Sequence, residues 1–136
     1  MPRDVNLKLA DAGTPIANTT ALTAIDVEGG WFGMVRLLIA TITDADETIN
    51  LTVEASKDGG STYFHICEFP QFVAADDNIE IARVAYFPRP SSGQTSLKVR
   101  LKARAVAGTT PSMPTTAYLE PLLSLAPPAM DEQLAQ

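Results

Sequence analysis

The stretch from Asn50 to Phe69 constrains the fold of this chain most strongly. It reads NLTVEAS-KDGG-STYFHICEF, two alternating runs joined by a glycine-rich turn. In the first run Leu51, Val53 and Ala55 fall on one side, and Asn50, Thr52, Glu54 and Ser56 on the other. In the second, Tyr63, His65, Cys67 and Phe69 share a side, and Phe64, Ile66 and Glu68 take the opposite one. Period-two alternation marks a strand with two different faces. Asp58-Gly59-Gly60 supplies the positive-φ positions that a tight hairpin needs. A hairpin this well specified requires a sheet to belong to and a core to pack against.

The rest of the chain supplies them. Short strands are expected at Val5–Leu9, Ala21–Val27, Trp31–Thr43, Ile79–Phe87, Gln94–Val106 and Ala117–Leu125, separated by loops rich in Gly, Pro, Asn, Asp and Ser. Trp31–Thr43 is apolar on both sides, with Val35, Leu37 and Ile39 on one and Met34, Leu38, Ala40 and Ile42 on the other. A helix competes for this run, but its β-branched content and the preceding Gly29-Gly30 favour a strand. Such a strand is covered on both faces, so the second face is expected to meet a loop, the carboxy-terminal segment or another subunit. The alternation of Ile79–Phe87 changes phase near Arg83, which suggests a bulge. Pro121 puts the last strand at an edge or breaks it. The expected fold is a single-domain, all-β antiparallel sandwich of jelly-roll type. It has seven or eight short strands over residues 1–125, an amino-terminal arm of about ten residues, and a Pro-rich tail over 126–136.

A chain of 136 residues with 46% hydrophobic and 19% charged side chains can bury a core without disulfides or metals. No apolar run reaches the ~20 residues of a membrane helix, and the start lacks a secretion-type segment. The expectation is a protein made in the cytoplasm, with no membrane partner. A net charge of −6 disfavours generic nucleic-acid binding.

The motifs that could carry chemistry are sparse. His65 and Cys67 are the sole members of their types, and packing is the better reading for both. No G-x-S-x-G nucleophile elbow is present. Asp44, Asp46 and Glu47, or Asp76 and Asp77, could offer oxygens to Ca²⁺, but neither group follows an EF-hand pattern. No enzyme, cofactor or metal is therefore expected. The most distinctive surface feature is a basic ladder of Lys98, Arg100, Lys102 and Arg104 on one strand face. Alternate residues stand ~6.6 Å apart, so neighbours repel by ~0.6 kcal/mol even in water. Cross-strand acids such as Glu54 or Glu80 neutralise the ladder, or it docks an acidic partner; nucleic acid is a third reading, disfavoured by the acidic total and the absence of interleaved aromatics.

Two resemblances follow from these residues. Ser56–Tyr63, SKDGGSTY, resembles the Asp-box of sialidases and other propellers, with Tyr63 in the place of tryptophan. The box is a turn device there, and a single copy in a short chain implies only the turn. The whole chain is similar to the decoration (cement) proteins of tailed-bacteriophage capsids. The matching pieces are the strand Val5–Leu9, the doubly apolar strand Met34–Ile42, the DGG hairpin and the Pro127-Pro128 tail. That resemblance implies a non-enzymatic homotrimer on the capsid exterior, binding across major capsid protein subunits. Arg3, Val35, Leu37, Ile39, Lys98, Arg100, Lys102 and Arg104 are then the candidate partner or subunit interface. The alternatives are a tail or baseplate module, or a carbohydrate-binding module stacking sugars on Trp31, Tyr63, Tyr86 or Tyr118.

Overall fold

The computed structural model describes residues 7–42, 44–76 and 78–122. Arg3, the start of the expected first strand, Asp77 and the Pro-rich tail lie outside the described residues. The strands are β1 (Lys8–Ile16), β2 (Ile25–Val27), β3 (Trp31–Ile39), β4 (Thr48–Ser56), β5 (Phe64–Glu68), β6 (Phe72–Val73), β7 (Ile79–Phe87), β8 (Leu97–Ala107) and β9 (Met113–Pro121). These form two antiparallel sheets, ordered β1-β9-β3-β7 and β2-β8-β4-β5, with the short β6 continuing the β5 edge alongside β4. The pairs β1 with β9, β2 with β8, β3 with β7 and β4 with β5 nest inside one another. A long hairpin rolled over on itself produces that order, and it is the jelly-roll arrangement. The hairpin Asn50–Phe69 is its innermost turn.

One face of each strand enters the core. Leu51, Val53 and Ala55 of β4 and Leu97, Val99 and Leu101 of β8 are fully buried. Val35, Leu37 and Ile39 of β3 meet them from the other sheet, also buried. The candidate interface is corrected at these three positions. In a two-layer sandwich the more regular apolar face of a central strand fills the space between the sheets, so it is closed to any partner.

The DGG turn forms as the sequence requires. Gly59 and Gly60 have φ of 81° and 101°. The Asp58 carboxylate accepts the Ser56 hydroxyl at 2.6 Å and the Ser61 and Thr62 N–H groups at 3.1 and 2.9 Å. Ser56 Oγ accepts the Gly60 N–H at 2.9 Å. The Ser56 hydroxyl, followed by the Thr62 amide, holds the Asp58 carboxyl below its usual range.

Four expectations change, each for a local reason. The sandwich has nine strands rather than seven or eight, because loop residues form the two-residue β6. β1 runs on through the turn-like residues Asp11–Thr14, which two register shifts against β9 absorb. β7 has no bulge: its register with β3 is unbroken from Trp31↔Phe87 to Ile39↔Ile79. The apparent phase change came from Arg83, which points inward with its guanidinium 6.0 Å from the centroid of the Phe69 ring. β9 is an inner strand between β1 and β3. Its prolines sit near its two ends, Pro114 second and Pro121 last, where the ladder tolerates a missing N–H.

Candidate interaction surfaces

The basic ladder lies on the outer face of the five-stranded sheet. Leu97, Val99, Leu101 and Ala103 are buried, while Lys98, Arg100 and Lys102 are half-buried and Arg104 is exposed. Strand pairing brings acids beside the bases. Asp26 of β2 bonds Lys98 at 2.8 Å, and Glu54 of β4 bonds Arg100 Nε at 2.9 Å. Glu68 of β5 pairs with Arg104. The Arg100 guanidinium also lies 3.5 Å from the centroid of the Tyr63 ring. The Lys98 ammonium lowers the Asp26 carboxyl, with the Ser96 hydroxyl helping. Lys102, opposite Thr52, is the member of the ladder without an ion pair among the described residues. Four positive charges face three negative ones, so the stripe is largely neutralised within the subunit. The acid expected at Glu80 is engaged elsewhere, with Arg36.

Two bulges explain which side chains reach this face. Between β4 and β5, Val53 pairs with Cys67 and Glu54 with His65, so Ile66 is an additional residue. His65 therefore turns outward and Cys67 inward, and the two do not share a face as strict alternation required. His65 Nδ1 is 3.0 Å from Thr52 Oγ1, and that hydroxyl donates to the Cys67 carbonyl at 3.0 Å. The hydroxyl has one proton, so Nδ1–H of His65 is the donor to it. Burial pushes the Cys67 thiol up to about 11, against the opposing charge of Arg83. A thiol in that setting is a poor nucleophile at neutral pH. Between β4 and β8, Asn50 pairs with Ala105 and Leu51 with Ala103, which makes Arg104 the additional residue. Ala105 is exposed as a result, and Val106 faces inward opposite the buried Ile49.

The acidic turn at 44–47 is a clamp on the loop between β8 and β9. Asp46 accepts the Thr109 N–H at 3.1 Å and its hydroxyl at 2.7 Å. Asp44 accepts the Thr110 N–H at 2.8 Å, and the buried Glu47 accepts the Ser112 N–H at 2.5 Å. The neighbouring Asp44 carboxyl, then Thr109, hold the Asp46 carboxyl down to about 2. Among the described residues no three His, Cys, Asp or Glu side chains come together in a way that could hold a metal ion. No helix among them is long and apolar enough to cross a membrane.

The outer face of the four-stranded sheet has the opposite character. Phe32, Val84 and Tyr86 are 57%, 57% and 49% exposed. They lie on adjacent strands: Phe32 pairs with Tyr86, and Met34 with Val84. The Phe32 and Tyr86 rings are 5.1 Å apart and tilted. Beyond them the face closes with Arg36, which bonds Glu80 at 2.7 Å and Glu120 at 3.2 Å. Those two carboxylates raise the guanidinium further above its already high range. The two apolar faces expected on β3 part company here: Val35, Leu37 and Ile39 fill the core, and Met34 and Leu38 stand half-buried on the outer face with the exposed Phe32. Unbroken alternation through Arg83 was the signal that would have added Val84 and Tyr86.

The four aromatic residues considered for sugar stacking do not form one platform. Trp31 packs against buried Phe87 at 5.1 Å, Arg100 covers Tyr63, and Tyr118 is buried. Tyr86 alone of the four is open. No family model matches the chain, and no curated protein or solved structure matches it.

Proposed function

We propose that this protein is a non-enzymatic structural component of a tailed-phage particle, decorating the capsid exterior and binding across major capsid protein subunits. The observation that carries this reading is the apolar strip of Phe32, Met34, Val84 and Tyr86 on the outside of a jelly-roll sheet. A flat strip of that kind suits recognition of another protein surface, not enclosure of a small molecule. Jelly rolls recur in capsid proteins, which supports the reading by analogy of fold. The resemblance of the whole chain to capsid decoration proteins supports it as well. Each copy contributes a modest interface, and many copies on a lattice add their effects. Neutralisation of the basic ladder within the subunit moves the weight of the proposal from Lys98–Arg104 to the apolar strip.

The test is co-sedimentation with purified heads of the phage that encodes the chain, before and after DNA packaging. The proposal expects stoichiometric binding and heads that resist heating better. Binding to tails alone, or no binding to any part of the particle, would overturn it.

A further inference from the structure

Four strand edges bound the two sheets, and three of them are poor templates for further pairing. β1 carries two register shifts, β2 has three residues, and the β5–β6 edge is bulged and interrupted at Pro70. Shifts, shortness and interruptions are the usual devices that keep sheet edges from joining. β7 has none of these. It runs nine residues, Ile79–Phe87, in unbroken register with β3 on one side. Among the described residues no backbone–backbone hydrogen bond engages residues 80–86 on the other side, and the Ala82 carbonyl accepts one guanidinium N–H of Arg83 at 3.2 Å. It contains no proline, lysine or glycine, and its outward row is Glu80, Ala82, Val84 and Tyr86. Its one protective device is Arg83, directed inward over Phe69. The two exposed large apolar residues of β7, Val84 and Tyr86, adjoin Phe32, the third of that kind.

We infer that β7 is the self-association edge, and that its occupant is β7 of a second copy, antiparallel about a twofold axis near Val84. Antiparallel pairing of identical strands puts residues of like facing opposite one another, so the axis passes midway between one residue and its own copy and stands perpendicular to the sheet. Centred on Arg83, the seam would oppose two guanidinium groups. Centred on Val84, it sets Val84 against its own copy, Ala82 against Tyr86 of the second copy, and Arg83 against Ala85 of the second copy. That register is apolar on its outer row and opposes no like charges. Glu80, the one acid in the strand, pairs with Arg36, which it shares with Glu120, and in this register it stands opposite Pro88 and not another acid.

The open apolar area bounds the strength of the contact. Phe32, Val84 and Tyr86 are each about half exposed. Aromatic side chains bury roughly 150–250 Å² when fully covered, so the three offer at most about 300 Å² per copy. Twice that stays well below the ~1,200 Å² at which stable interfaces begin, and two chains of net charge −6 repel. The dimer is therefore weak in solution and strengthened where copies are held close together. The twofold axis also brings both apolar strips to the same side, as one strip of doubled length. That last consequence rests on the function proposed above; the pairing itself does not. The pair is an alternative to the homotrimer that the resemblance implies.

Analytical ultracentrifugation from low-micromolar to near-millimolar concentration tests the inference without any capsid. The average mass of the wild type should rise from one copy toward two. Val84→Lys, an exposed change that places a charge in the seam, should weaken association by about tenfold or more. Tyr86→Ser should weaken it less, and Lys102→Glu, on the opposite face, should leave it unchanged. Circular dichroism establishes that each variant is folded, and if Val84→Lys is not, Tyr86→Ser decides. A wild type monomeric throughout, a closed trimer, or association untouched by both β7 variants would overturn the inference. A chain that pairs but ignores phage heads would remove the proposed function and leave the pairing standing.

Discussion

The outer faces of the two sheets are made from strands of the same design and end with opposite characters. On the five-stranded sheet, β8 presents four bases in a row, and strand pairing sets Asp26, Glu54 and Glu68 among them. On the four-stranded sheet, β3 and β7 present Phe32, Val84 and Tyr86 with no cover among the described residues. The conspicuous feature of the sequence is thus satisfied inside the subunit, and the inconspicuous one remains open. Charges separated along a strand tend to find partners across it, because cross-strand neighbours are closer than neighbours along the strand. An exposed apolar residue on a strand next to an edge has no such remedy within the fold.

Substitutions on the two faces of the four-stranded sheet sharpen that contrast most. Leu37→Ala, between the sheets, should cost about 2–5 kcal/mol in chemical denaturation. Val84→Ala, on the outer strip, should stay within about 0.5 kcal/mol. Equal losses at both sites would mean that the strip is covered within the subunit. Gly33→Ala should cost about 1–3 kcal/mol by overpacking, since its Cβ would come within 2.4 Å of the Trp31 ring and 3.1 Å of Phe87. Retained stability with unchanged Trp31 fluorescence would contradict the packing described.

Smaller effects probe the charged face. Arg100→Ala removes a half-buried pair with Glu54 and a stacked contact with Tyr63, and should cost about 1–2 kcal/mol. Arg104→Ala removes an exposed pair and should change stability by about 0.5 kcal/mol or less. If Arg104 mattered as much as Arg100, the stripe would act as a network and not as separate pairs. The smallest effect is on acid stability. Asp26, Asp46 and Asp58 have folded pKa values below the ordinary carboxylate value, Asp46 down to about 2. Their contribution is complete above the unfolded value near 4 and is lost as pH falls toward 2. Asp46→Asn should flatten that part of a stability-versus-pH curve, and an unaltered slope would remove the clamp from the account.

Much of the fold was legible because its signals are local. Leu97–Ala103 alternates without interruption, and the DGG turn specifies its own geometry, so both were readable from residue order. What was not legible depended on partners distant in the chain. The bulges at Ile66 and Arg104 exist only relative to β4, and they decide that His65 and Cys67 part and that Ala105 is exposed. Arg83 broke the apolar pattern of β7 because Phe69, in the connection between β5 and β6, receives it. The candidate surface was half legible for the same reason. Two apolar faces on β3 were evident, but which one meets the core depends on the facing sheet.

Hydrogen exchange followed by mass spectrometry, at low and high protein concentration, tests most directly whether the open edge and not the basic ladder is the contact surface. Peptides covering Ile79–Phe87 should gain protection as concentration rises, while those covering Leu97–Ala107 keep the same exchange at both concentrations. Protection gained over Leu97–Ala107, or gained nowhere, would contradict the account.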